Sequence, residues 1–280
     1  MKVRCWGARG SIPVSGQQYL RYGGDTACLE VRSKNDAVLI IDAGTGIRAL
    51  GVDLLRQGRT DLTLLLSHFH WDHIQGLPFF KPLYNPAARL NVGGRKGAQR
   101  DIVRVLTQAF RAPLFPVPFA RLPAQVPVIG FKNDVLQVDS LVVRRIPLSH
   151  PNLGAGFRIE EDGRSLVYLS DNELSLRHKG GGVFADYAAF CKGADLLIHD
   201  AEYTPEEYPQ RRGWGHSHFA DAASLAKAAK VRALGLFHHN QERTDQAQDE
   251  LQERCRALLS APDDPRCLAL FQGWSMDLSG

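Results

Sequence analysis

The sequence predicts an α/β fold built in layers, on three observations. An apolar strand, Ala37 to Asp42, ends in the turn Asp42-Ala43-Gly44-Thr45-Gly46 and passes straight into a helical pattern, Ile47 to Gln57. The same outline, strands first and then a strand, a metal-type residue and a helix, occurs in both halves of the chain. No linker rich in glycine, serine or charge separates the halves, so the 280 residues are expected to form one domain, residues 1–280, of two similar α/β units. A hydrophobic content of 44% is enough for a substantial core.

The elements follow in order. Lys2 to Trp6, Ala27 to Arg32, Ala37 to Asp42 and Leu62 to Leu66 read as short strands separated by glycine-rich turns. Ile47, Leu50, Leu54 and Leu55 share one face at helical spacing. Residues 97 to 110 read as a second helix, and the prolines of the segment Ala112 to Pro127 forbid its continuation, which leaves a loop over a pocket or an interface. Strands are then expected over Leu141 to Pro147, Gly156 to Glu160 and Ser165 to Leu169, with Asp162-Gly163 as a hairpin turn. The chain closes with a strand at Asp195 to His199, an amphipathic helix at Phe219 to Lys230, a strand at Ala233 to Phe237 and a helix at Thr244 to Leu259.

Composition excludes several classes. Five cysteines, scattered and without CxxC spacing, suggest neither a disulfide framework nor a zinc knuckle, and a reducing cytoplasm is the expected compartment. The N-terminus has no apolar signal region, and no stretch approaches the ~20 apolar residues of a membrane span. A net charge of +4 favours anionic substrates only weakly.

One stretch carries chemistry. TLLLSHFHWDHIQG, Thr63 to Gly76, places His68, His70, Asp72 and His73 within six positions after an apolar strand. A strand delivers such residues to the carboxyl edge of its sheet, where open α/β sheets hold ligands. Imidazoles with a carboxylate and no thiolate suit zinc, manganese or iron in an open, catalytic centre rather than a closed structural one. One ion needs about three protein ligands, so the surplus suggests two ions. His150, Asp171 and His238 each follow a further apolar strand. Any one of them alone reads as an ordinary loop residue or cap, whereas their recurrence at successive strand ends points to a shared site.

His68-Phe69-His70-Trp71-Asp72-His73, followed by His150, Asp171 and His238, resembles the HxHxDH signature of the metallo-β-lactamase-fold hydrolases. The likeness runs from Gly7-Ala8-Arg9-Gly10-Ser11 through Asp42-Ala43-Gly44-Thr45-Gly46 to His238. It implies an αββα sandwich, two mixed sheets flanked by helices, with a dinuclear site at one edge. It further implies that His68, His70 and His150 hold one ion, that Asp72, His73 and His238 hold the other, and that Asp171 bridges them. The ions are expected to be zinc, with manganese or iron as alternatives. His239 adjoins His238 and competes with it for the last position; the family pattern favours His238 and leaves His239 behind it or facing substrate.

Within that superfamily the ending is similar to the phosphodiesterase branch, including ribonuclease Z and the small cyclic phosphodiesterases. The residues concerned are His199-Asp200-Ala201-Glu202-Tyr203 and Gly215-His216-Ser217-His218-Phe219. Asp200 stands where ribonuclease Z has glutamate and His218 where it has threonine, and the glycine- and proline-rich arm that grips transfer RNA has no counterpart. Two neighbouring cations acidify a water between them and clamp a phosphodiester oxygen, so a small cyclic or nucleotide-type diester is the expected substrate, with RNA a further partner. Asp72 would orient and deprotonate that water. Asp200 and His216 would form a carboxylate and imidazole pair acting on the phosphoryl or leaving oxygen; the plain alternative is that they tie two loops together.

Two other classes compete with this reading: a lactone or thioester hydrolase using the same metals, and a binding module that has merely kept the fold. Arg9, Arg21, Arg48 and Lys81 are expected at solvated surface. Trp71 is expected to pack beneath the metal loop, and Tyr203 and Trp214 to line the pocket or the core. A homodimer is expected by family analogy alone, and no membrane partner.

Overall fold

The computed structural model describes residues 1–95, 97 and 99–279. Its elements in chain order are β1 (Lys2–Gly7), β2 (Cys28–Arg32), β3 (Val38–Ile41), α1 (Ile47–Arg56), β4 (Asp61–Leu66), β5 (Arg89–Gly94), α2 (Gln99–Ala109), β6 (Val135–Val138), β7 (Leu141–Leu148) and β8 (Gly154–Glu161). They continue with β9 (Arg164–Leu169), α3 (Phe184–Cys191), β10 (Leu196–Asp200), α4 (Phe219–Ala228), β11 (Ala233–Phe237), α5 (Asp245–Leu258), β12 (Arg266–Ala269) and β13 (Ser275–Asp277). Of the expected helix over 97 to 110, Gln99–Ala109 is helical, and Ala98 lies outside the described residues.

Two mixed sheets result, with strand orders β13-β1-β2-β3-β4-β5 and β12-β11-β10-β9-β8-β7-β6. Each joins an antiparallel part to a parallel part: β3, β4 and β5 run parallel in the first, and β9 to β12 in the second. The parallel strands explain the unbroken apolar runs, because both of their faces are covered. In β3, Leu39 and Ile41 face the core between the sheets while Val38 and Ile40 face outward onto Ile47, Leu50 and Leu54 of α1. In β10, Leu196 and Ile198 face inward and Leu197 faces the layer of α3, α4 and α5. The layers are therefore helix, sheet, sheet, helix.

Local chemistry fixes the ends. Asp162 (φ 49°) and Gly163 (φ 76°) take the left-handed conformations of a two-residue hairpin turn between β8 and β9. Thr244 Oγ1 accepts from Ala247 N at 3.3 Å and caps α5, and His218 Nδ1 accepts from Asp221 N at 3.1 Å and caps α4. The proline-rich segment is not a free loop. Leu90 N donates to Gln125 O at 2.8 Å and Val92 N to Pro127 O at 2.9 Å, so the segment covers the open edge of β5. Its start, Ala112 to Leu114, walls a cavity with Arg111, Phe69 and Trp71.

Phe157 lies wholly buried between the sheets. Phe157→Ala is expected to cost about 3–5 kcal/mol, read as a fall in the denaturant midpoint at unchanged slope.

Candidate metal centre

Four strand ends converge at one edge of the sandwich. The backbone after β4 passes through Ser67, His68, Phe69 and His70 into a single 3-10 turn, Trp71–His73. Asp42, at the end of the adjacent β3, holds that loop: it accepts from Ser67 N at 2.7 Å and from Ser67 Oγ at 2.8 Å, and its Oδ2 lies 2.8 Å from His73 Nδ1. The turn behind it must be tight. A Cβ on Gly44 would lie 2.4 Å from Asp72 O, and one on Gly76 2.1 Å from Gly44 O, which accounts for glycine at both positions. His150 follows β7, Asp171 follows β9 and His238 follows β11. Asp42, Asp171 and His238 all have positive φ (62°, 56° and 57°), a conformation that costs non-glycine residues of order 1 kcal/mol or more and that here turns each side chain into the edge.

The result is two overlapping sets of ligand-type atoms. His68, His70, His150 and Asp171 form one, and Asp72, His73, Asp171 and His238 the other, each with its atoms within 4.8 Å of one another. Asp171 belongs to both. A third group, Asp200, His216 and His238, adjoins the second. His216 Nδ1 lies 3.0 Å from Asp200 Oδ2 and 3.4 Å from Glu202 Oε2, and its ring stacks on that of His238 at 4.7 Å. The sequence-predicted residues are thus all brought to one place.

The donors fit divalent cations. His68 Nε2 and His73 Nε2 are buried and, among the described residues, have no hydrogen-bond partner. Burial, followed by the charge of His73, pushes His68 well below the usual imidazole range, and burial pushes His150 down to about 3, so both rings are neutral donors. At Asp171 burial opposes the charge, yet His238, His73 and His68 outweigh it and hold the carboxylate well below its usual range. Burial likewise disfavours charged His73 and His238, and the surrounding carboxylates, Asp171 foremost, overcome it and raise both. Asp42, Asp72, Asp171, Asp200 and Glu202 are all buried, and among the described residues none pairs with a lysine or arginine. So much buried negative charge calls for cations.

Orienting partners account for the rest. His150 Nδ1 lies 2.9 Å from Gly215 O, and a Cβ at Gly215 (φ 96°) would meet that ring nitrogen at 2.1 Å. His238 Nδ1 lies 3.0 Å from Glu202 Oε2, and Ser11 N donates to Asp72 Oδ2 at 2.8 Å. Glu173 accepts from Tyr208 OH, Gly213 N and Gly215 N at 2.7 to 2.9 Å, fixing the loop that carries Gly215 and His216. Sequence reasoning did not assign roles to Asp42, Glu202 or Glu173. Their only signal was position at or just after an apolar strand, as for Asp42, or beside Asp200 and Asp171.

Several expectations are corrected. His239 neither backs His238 nor faces substrate: it is buried, its Nε2 donates to Leu270 O at 2.7 Å, and its ring meets Tyr22 edge-on. Trp71 does not pack beneath the loop; it is 55% exposed beside the site. Arg9 is not at the surface but wholly buried, donating through Nε to Gly23 O at 2.9 Å and through Nη1 to Arg243 O at 2.7 Å, so that it ties the loop after β1 to the segment after β11. Arg21, Arg48 and Lys81 are exposed as expected. Tyr203 is core, 6.0 Å from His216, and Trp214 is exposed.

Comparison with known proteins agrees with this geometry. The sequence profile described as a beta-lactamase superfamily domain matches residues 38–239. The chain is 26% identical to ribonuclease Z of Shouchella clausii over 240 residues, which is 70% of this chain and 74% of that protein. It superposes on the metallo-beta-lactamase-fold protein YhfI of Bacillus subtilis with a TM-score of 0.73 at 20% identity, over 98% of each chain. The human short-form tRNase Z gives 0.65 at 20% identity, over 99% of each chain. The αββα sandwich of the metallo-β-lactamase type is the fold they share.

Proposed function

The chain belongs to the beta-lactamase superfamily, and from that premise we propose that it is a dinuclear metal-dependent phosphodiesterase acting on a small cyclic or nucleotide-type diester. The observation that carries this reading is the Asp200 and His216 pair set against the metal-type cluster, with His216 stacked on His238. Hydrolysis of a carbonyl substrate has no use for that pair, whereas a phosphodiester has a charged oxygen and a poor leaving group to serve.

His68, His70 and His150 would hold one ion, Asp72, His73 and His238 the other, and Asp171 both; the imidazole and carboxylate donors suit zinc, with manganese or iron as alternatives. Two such ions, when bound, acidify a water molecule and neutralise charge on the phosphoryl oxygens. Asp72, fixed through Oδ2 by Ser11 N, orients the attacking water and accepts its proton. Asp200 engages His216 Nδ1 and leaves Nε2 to serve the phosphoryl or leaving oxygen. Burial disfavours charge on His216, but Glu202 and Asp200 outweigh it and raise its pKa to about 9, so the ring carries a proton to give at neutral pH. Asp42 and Glu202 hold His73 and His238 in the orientation that turns Nε2 inward.

The test is hydrolysis of bis(p-nitrophenyl) phosphate by protein stripped of metal and reloaded with zinc or manganese, beside Asp72→Ala. Turnover that returns with metal and drops by about 10²-fold or more in the variant is expected. No turnover with metal demonstrably bound would sink the diesterase reading and favour lactones or thioesters. The likeness to ribonuclease Z supports RNA as a second substrate of the same chemistry.

A further inference from the structure

A cavity of about 370 Å³ opens beside the cluster, lined by Arg95, Asp134, Arg145, Leu153, Gly154 and Ala155. None of the ligand-type residues lines it, but three contacts tie its walls to the loop that carries His68 and His70. Ala155 N donates to Ser67 O at 2.9 Å, immediately before His68; Asn152 Nδ2, just ahead of Leu153, lies 3.3 Å from His70 Nε2; and Arg95 lies over the ring of Phe69, between His68 and His70, at 5.6 Å.

The cavity is cationic. Arg145 has only 9% of its side chain exposed. Its Nε donates to Asp134 at 2.8 Å and its Nη1 to Gly94 O at 2.9 Å, and the guanidinium lies over Phe131 at 4.5 Å. Among the described residues its Nη2 meets no acceptor. Asp134 is the carboxylate of the lining and is already engaged on the Nε edge. Arg95, paired with Asp101, brings a second guanidinium to the lining.

We infer that this cavity is an anion subsite in which Arg145, with Arg95, receives a second phosphate group of the substrate. The inference rests on the diesterase reading and narrows it. A cyclic mononucleotide has one phosphate, which the metal centre consumes, and brings nothing for a buried guanidinium. A linear diester bearing another phosphate places that group against Arg145, where a charge-assisted hydrogen bond in a partly desolvated cavity is strong. Arg145 is a specificity residue, remote from the reacting atoms.

The experiment compares thymidine dinucleotides with and without a further terminal phosphate, at the 5′ or the 3′ end. The phosphorylated form is expected to have kcat/KM higher by about tenfold in the wild type. Arg145→Ala should bring that ratio to about one. Asp134→Asn should keep it, whereas a merely structural ion pair between Arg145 and Asp134 would lose it in both variants. Binding is read separately by calorimetry, with thymidine 3′,5′-bisphosphate against thymidine 5′-monophosphate in wild type and Arg145→Ala. A wild-type ratio near one, or one unchanged in Arg145→Ala, overturns the subsite. Dinucleotides that are cleaved without any preference defeat the subsite and leave the diesterase reading intact. An Arg145-dependent preference for the bisphosphate without any cleavage does the reverse.

Discussion

Asp171→Asn is expected to reduce bound metal from about two ions per chain to at most about one and to lower diester turnover by about a thousandfold or more. Asp171 is the only residue common to both ligand-type sets, so its loss reaches both. Its Oδ1 lies 3.2 Å from His73 Nε2, and its Oδ2 lies 3.5 Å from His68 Nε2 and 3.3 Å from His238 Nε2. Asparagine is the informative replacement. It tolerates the left-handed backbone at φ 56° nearly as well as aspartate, so the change removes the charge without the strain alanine would add. Elemental analysis of the purified variant, with its thermal midpoint, separates the cases: loss of metal with the fold intact is the expected result, and full metal content with normal turnover would remove Asp171 from the centre.

The cluster was legible in the sequence because its chemistry is local. Four ligand-type residues in six positions have no place in a core, and β7, β9 and β11 run in one direction, β7 by way of the antiparallel β8, so that their polar ends put His150, Asp171 and His238 at the same edge. The residues that orient them were not legible. Asp42 and His73 are far apart in sequence, and their contact exists only because β3 and β4 pair in parallel with Ile41 beside Leu65. Among the elements, β3 and β4 stood out as dense apolar runs covered on both faces. β12 and β13, four and three residues long, were too short for any period to register. In β5, Gly93-Gly94 and Asn91 disguise a strand that depends on the proline-rich segment to cover its edge. Arg9 shows the same limit from the other side: an arginine in a glycine-rich loop reads as solvated, and the fold surrounds it with carbonyls from Gly23 and, where the chain returns after β11, from Asn240 and Arg243.

His216→Ala is expected to lower kcat on a phosphodiester by about 10²–10⁴-fold while leaving turnover of a lactone near the wild-type level. The asymmetry follows from what the ring can reach. Asp200 Oδ2 also accepts from Ser217 N at 3.2 Å and Oδ1 from Glu202 N at 2.9 Å, so the carboxylate is held without the histidine, and the loop keeps its further ties through Glu173. Among the described residues the His216 ring is hydrogen-bonded through Nδ1 to Asp200, with Glu202 Oε2 3.4 Å away, which leaves Nε2 for the role proposed for it at the substrate. His238, which shares Glu202 with His216, is the residue a truncation could disturb, and metal content must be measured in the same preparation. His216→Asn supplies the second control, since an amide can keep a hydrogen bond to Asp200 but cannot carry the proton. If Asn restores diester cleavage as well as histidine does, the pair only ties two loops together. If both variants keep their metal and lose the diester while keeping the lactone, proton transfer at His216 is what separates the two reactions.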